Sequence, residues 1–210
     1  MGEASQASGW HSIAQGSWSH AEGERSLAVG IGSHAEGGSQ DGISRTINAA
    51  TDEGIDRDYT VYGSTAQGDG SHAEGYLTFT LGRSAHAEGF FSDAIGEASH
   101  AEGGMTGSFG NTSHTEGYLT KAYGLGSHAE GYGPVTGGIG SHAEGASLDW
   151  EGNQLDPLHI EEFDIDLPNT TAIGIGSHAE GVQTLTVEWS SHAEGFGSVA
   201  MEKASHAEGV

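Results

Sequence analysis

Residues 71–75 read Ser71-His72-Ala73-Glu74-Gly75, and one period later the word returns as Ala85-His86-Ala87-Glu88-Gly89. It occurs eleven times in 210 residues, centred on His20, His34, His72, His86, His100, His114, His128, His142, His178, His192 and His206. Successive histidines are 14 residues apart except at two intervals of 38 and 36, each one period plus an insertion. A unit this short buries almost nothing alone, so the period predicts a solenoid whose coils stack on one another. Strand alternation within the word sets His and Glu on one face and Ser, Ala and Gly on the other. Half a period later a looser word recurs, as in Leu27-Ala28-Val29-Gly30, Phe79-Thr80-Leu81-Gly82 and Lys121-Ala122-Tyr123-Gly124, with Ala, Ser or Thr in second place. Small residues at matching phase then point at each other inside a thin roll of two strands per coil.

The chain holds 37 glycines and 3 prolines, and glycine at fixed phase is expected to supply positive φ where the chain reverses every seven residues or so. A helix is excluded, because each interior glycine costs roughly 1 kcal/mol and no a/d apolar seam exists. A left-handed β-helix with six-residue faces fails because 14 is not a multiple of six, and the calcium-binding nonapeptide pattern is missing. With no cysteine, neither disulfides nor thiolate metal sites contribute. No apolar run is long enough to span a bilayer, so no membrane insertion is expected.

Fourteen-residue coils with x-Ala-x-Gly in each half resemble the YadA-like head repeat of trimeric autotransporter adhesins. The resemblance implies an all-β, left-handed parallel β-roll solenoid over residues 1–210 as a single repeat domain, assembled as a homotrimeric fibre. The Ser-His-Ala-Glu-Gly wording resembles repeats of phage and prophage tail-fibre proteins, where such rolls precede a trimerising or self-cleaving chaperone domain. The function expected is a structural and host-recognition module of a phage tail fibre, located in the virion. The alternative is the head of a trimeric bacterial adhesin at the cell surface, and a metal-binding repeat protein stands third. The chain begins and ends inside the repeat, and solenoid ends expose strand edges, so flanking fibre or chaperone domains are expected partners.

One feature departs from the family, in which adhesin heads carry Val and Ile where this chain has His and Glu. The glutamates are Glu22, Glu36, Glu74, Glu88, Glu102, Glu116, Glu130, Glu144, Glu180, Glu194 and Glu208, and neither member of the pair ever varies. Ser and Ala do vary, at Ala85 and Thr115, and the outward position of the other half drifts from Leu27 to Asp93 to Lys121. Uniformity favours the His/Glu ladder as the face at the trimer axis. The drifting face, with Phe79, Leu81, Leu185, Val187, Val199 and Met201, is the other candidate. Buried carboxylates require partners, so a structural ladder of paired or hydrogen-bonded His and Glu is expected, with Glu raising and burial lowering the His pKa. His and Glu suit zinc or nickel, but eleven equivalent layers would imply a wire of ions, and no metal or cofactor is assigned. A flat repeated ladder offers neither pocket nor nucleophile, and His11 and His159 lie outside it, so no catalytic residue is named and no enzyme is expected.

Eleven of the 30 acidic residues are ladder glutamates, and the other 19 outnumber the 6 Lys and Arg by 13. Such a surface repels nucleic-acid phosphates and anionic lipids, leaving a host-surface glycan or protein as the expected receptor. The individuality of the chain lies in its insertions. At about 40–63, Ile43-Ser44-Arg45-Thr46-Ile47 and Tyr59-Thr60-Val61-Tyr62 flank Asp52-Glu53-Gly54 and predict a β-hairpin. At about 148–168, a longer loop carries Trp150 and the acidic Glu161, Glu162, Asp164 and Asp166. Tyr59, Tyr62 and Trp150 are the candidate receptor contacts.

Overall fold

The structure, a computed structural model, describes residues 2–39, 44–50, 56–146 and 169–209. They are all strand, turn and irregular chain, with no helix among the described residues, in two compact units, Met1–Gly104 and Met105–Val210. In the first unit the long strands Gln6–Trp10, His20–Glu24, His34–Gly38, His72–Tyr76, His86–Phe90 and His100–Gly104 hydrogen-bond in that order. A facing sheet is built of two-residue strands, Ile13–Ala14, Leu27–Ala28, Thr65–Ala66, Phe79–Thr80 and Asp93–Ala94. The second unit repeats the plan with His114–Tyr118, His128–Tyr132, His142–Ala146, His178–Val182, His192–Phe196 and His206–Glu208 in the long sheet. Its short strands are Gly107–Ser108, Lys121–Ala122, Val135–Thr136, Thr171–Ala172, Leu185–Thr186 and Val199–Ala200. The chain is thus a parallel β-solenoid of about 12 coils of 14 residues, counted on the long strands.

Pairing is in register with the repeat: His72 lies opposite His86, Ala73 opposite Ala87 and Glu74 opposite Glu88. Insertions do not disturb it, since His34 pairs with His72 and His142 with His178. There is also a coil beyond the eleven legible ones. Gln6, Ala7 and Ser8 pair with His20, Ala21 and Glu22, a degenerate copy that keeps the opening Ser5, the inward alanine and the glycine and loses only His and Glu.

The core is as thin as the small residues require. Ala21, Ala28, Ala73 and Ala101 are each 0% exposed. Where a hydroxyl replaces the short-strand alanine, it finds a partner across the roll: Thr80 donates to Ser71, Thr136 to Ser127 and Thr186 to Ser177 at 2.8–3.0 Å. Ser108 pairs with Thr115 at 2.9 Å, so the one Ala-to-Thr departure in the repeat coincides with a serine opposite it. Such bonds offset the cost of placing a hydroxyl in the core.

Two reversals close each coil. The serine that opens the word caps one, its hydroxyl donating to the carbonyl three residues earlier, as in Ser19 to Gly16 at 2.7 Å and Ser113 to Gly110 at 2.7 Å. A second column, three residues after the word's glycine, was not read in the sequence. Ser26 and Ser92, with Ser64 and Thr170 at the same phase beyond the insertions, donate to Gly37, Gly103, Gly75 and Gly181 of the next coil at 2.8–3.1 Å, whereas the hydroxyls of Thr78, Thr106, Thr120 and Thr184 in this column are buried without a hydrogen bond.

The expectation that fixed-phase glycine supplies positive φ holds for the glycine of the word and for the glycines just before its serine, such as Gly126 and Gly140, but not for those of the half-motif. Gly131 of the word has φ +109, a conformation that side chains avoid. The half-motif glycines, such as Gly82 and Gly124, do not have positive φ. They are required because coils touch there: a Cβ on Gly82 would lie 1.9 Å from the Gly96 carbonyl oxygen. Much of the left-handed work falls instead on ordinary residues, including Arg25, Phe91, Ala98 and Thr112 with φ of +53 to +59.

The first insertion contains an antiparallel hairpin, Arg45–Ala50 against Asp56–Val61, with Ile47 opposite Tyr59. It folds back over the short-strand sheet, and Ile47 and Val61 bury against Leu77 and Phe79. Arg45 clamps it: Nε donates to the Leu77 carbonyl at 3.0 Å, Nη1 donates to Asp93 Oδ2 at 2.7 Å, Nη2 completes the fork, and the guanidinium lies over the Phe91 ring. Burial pushes the Asp93 carboxyl up, against the pull of Arg45. Phe79 and Asp93, on the drifting face, are therefore covered by the chain's own hairpin. In this unit their column is the hairpin's docking surface. The second insertion, with Trp150, His159 and the acidic group Glu161, Glu162, Asp164 and Asp166, lies outside the described residues, as do Asp52-Glu53-Gly54.

Candidate functional site

The ladder exists as two regular columns on the outer face of the long-strand sheet. Because each His lies opposite the next, imidazoles stack almost parallel, with centroids 4.9 Å apart for His20 and His34, 4.8 Å for His72 and His86, and 4.7 Å for His142 and His178. Strand spacing imposes this distance.

In most coils the imidazole Nε2 faces the glutamate Oε2 two residues on, and His206 faces Glu194 of the coil before it. The separations are 3.4 Å for His20 and Glu22, 3.5 Å for His128 and Glu130, 3.6 Å for His142 and Glu144, and 4.0 Å for His34 and Glu36. These are pairing distances, longer than the 2.7–3.2 Å typical of a hydrogen bond. The Nε2 atoms of His34, His72, His86, His128, His142, His178 and His192 are shielded from solvent and make no hydrogen bond. The glutamate carboxylates remain about two-fifths exposed, as at Glu22 with 41%.

The opposing influences on histidine resolve downward. Burial, and then the stacked histidines on either side, hold His34, His86, His128 and His178 below the usual imidazole value, outweighing the nearby glutamates. At neutral pH these rings are neutral, and a neutral Nε2 can present a lone pair. Triads such as His72, Glu74 and His86, or His114, Glu116 and His128, bring three donor atoms within 4.8 Å of one another.

At the receptor-contact candidates, Tyr62 is 54% exposed at the foot of the hairpin. It lines an open pocket of about 250 Å³ with His11, Ile13, Arg25, Ser26, Leu27, Thr60 and Thr65. This concavity brings the hairpin to the first two coils, and His11 and Arg25 had not been linked to Tyr62 in the sequence. Trp150 and the side chain of Tyr59 lie outside the described residues. A further column follows the glycine of the word: Tyr76 stacks on Phe90 and Tyr118 on Tyr132 at 5.3 and 5.4 Å. Its signal was the aromatic residue in the same place in Phe196 as well.

Comparison with known proteins agrees with this geometry. Residues 7–33 and 168–185 match the YadA head domain repeat, in two copies. The chain carries YadA-like head repeats. The first match covers the degenerate coil from Ala7, so the YadA-like pattern extends past the last recognisable Ser-His-Ala-Glu-Gly copy. No curated protein matches the chain. Among the described residues no helix is long and apolar enough to cross a membrane.

Proposed function

We propose that the chain is the head module of a homotrimeric surface adhesin, a structural and attachment element rather than an enzyme, in which the His/Glu sheet turns towards the threefold axis. The observation that carries this is the docked hairpin. Phe79 is 0% exposed beneath it and Asp93 is held by Arg45, so in the first unit the short-strand face is occupied by the chain itself and cannot serve as a continuous seam between subunits. Among the described residues the long-strand face has no such cover. A two-sheet roll with an alanine core lacks the interior of an ordinary domain, and association of three such rolls supplies it. YadA-like repeats support the adhesin head over the tail fibre, whose case rests on the wording of the repeat alone.

In this arrangement the hairpin, Tyr62 and the pocket with His11 and Arg25 face outward and form the surface for a glycan or protein receptor, with Tyr59 and Trp150 as further candidate contacts. Flanking fibre domains would continue the trimer. The chain has no cysteine, so a single introduced one reports cleanly. Glu130→Cys should give disulfide-linked chain pairs within trimers on mild oxidation, and Lys121→Cys on the opposite sheet should not. The reverse pattern would place the axis at the short-strand face, and a monomeric mass by light scattering would remove the trimer altogether.

A further inference from the structure

We propose that the ladder binds divalent transition-metal ions of the zinc class, with His192, Glu194 and His206 as its best-built site and with at most every second interval of the column filled. The proposal stands on the geometry of one chain and does not depend on trimerisation.

The Glu194 carboxylate is bracketed by imidazoles of successive coils, Oε2 lying 3.9 Å from His192 Nε2 and Oε1 3.7 Å from His206 Nε2. Both distances are too long for a hydrogen bond. They approach the separation of about 3.4 Å between two ligands that each lie about 2.0–2.1 Å from a tetrahedral zinc ion. The rings are 5.0 Å apart and 6° from parallel, so coordination requires both to swing inward about their side-chain torsions. With 55% of its side chain accessible, His206 has room to do so. His192 Nε2 is buried without a hydrogen bond, a group that a metal would satisfy.

Two nitrogens and a carboxylate oxygen form a donor set for zinc, nickel or cobalt, whereas calcium and magnesium demand mostly oxygen. A chain of formal charge −24 attracts cations to the face. Adjacent triads share a histidine, and one lone pair serves one ion. That removes the objection that eleven layers imply an unbroken wire, and limits the column to no more than one ion per two histidines.

The test is calorimetric titration of the untagged full chain, stripped with chelator, using Zn²⁺ with millimolar Mg²⁺ present, together with Co²⁺ absorption. Saturable micromolar zinc binding at no more than one ion per two ladder histidines is expected, with the intense visible band of four-coordinate cobalt. The His192→Gln/His206→Gln double variant should lose one ion per chain, and Glu194→Gln should weaken that site at least tenfold, with circular dichroism unchanged. Absence of saturable zinc binding overturns the proposal. So does uptake that magnesium displaces, or uptake indifferent to the double variant, because either would be diffuse attraction to the acidic surface.

Discussion

Gly131 and Gly140 are both glycines at positive φ in the second unit, yet they answer different needs. A Cβ on Gly131 would lie 2.2 Å from the Gly145 carbonyl oxygen of the next coil, whereas one on Gly140, at φ +61, would meet nothing within 4 Å. Gly140→Ala should cost only the left-handed penalty of about 1–2 kcal/mol, while Gly131→Ala must also push coils apart and should cost clearly more, as thermal midpoints of the two variants would show. Sequence phase revealed that glycine mattered at these places. It could not separate conformational freedom from close approach, because the second depends on a carbonyl one whole coil away. Histidine gives a residue-scale prediction in pH. With His34, His86, His128 and His178 held below the usual value of 6.5, the unfolded chain binds more protons than the folded one as pH falls. Stability of the metal-free chain should therefore be fully present above about pH 6.5 and decline below it. A thermal midpoint that rises between pH 7 and pH 5.5 would contradict this.

The hairpin shows how an element's placement can escape a sequence that announces its existence. Two β-rich runs around an acidic turn were enough to predict the strands, and register pairs Arg45 with Val61. Where the hairpin docks was not legible, because the deciding contact joins Arg45 to Asp93 across 48 residues and an aspartate in a variable column reads as ordinary surface. Arg45→Ala would leave Asp93 covered without its cation, an arrangement that typically costs about 3–5 kcal/mol. We expect faster hydrogen exchange across Arg45–Ala50 and Asp56–Val61, and a double-mutant cycle with Asp93→Asn that is strongly non-additive. Equal exchange in wild type and variant would mean that Ile47, Val61, Leu77 and Phe79 hold the hairpin without help. The roll itself tolerates no such latitude: Ala101, 0% exposed, should overpack when changed to Leu, at about 1–3 kcal/mol.

For the whole molecule, the ladder and the insertions make separate predictions. If the His/Glu sheet meets the threefold axis, His100→Ala leaves Glu102 without its partner at 3.8 Å in each of three chains and should destabilise the trimer by about 3–5 kcal/mol. Changing both His100 and Glu102 to Gln removes the charge together with its partner and should be tolerated. On a solvent face both changes would fall within about 0.5 kcal/mol, so equal midpoints would move the ladder outside. Replacing residues 40–63 with a plain coil turn should leave assembly intact and abolish attachment; normal attachment would make the hairpin a structural clasp. The coil, its two strands and the inward alanines were legible because they recur. The axis and the receptor were not, since each depends on a surface that one chain does not complete.

The residue-for-residue register has a consequence in heredity. Excising residues 128–141 joins Ser127 to His142 and regenerates the word at the seam, so that every remaining coil meets a neighbour like the one it lost. Unequal recombination between gene copies of the repeat would thus yield longer or shorter proteins that still fold, and selection could adjust their reach in whole steps. A chain with that excision should keep its circular dichroism and melt cooperatively. Removing one residue fewer would turn alanines outward beyond the seam and should leave the part downstream of it unfolded.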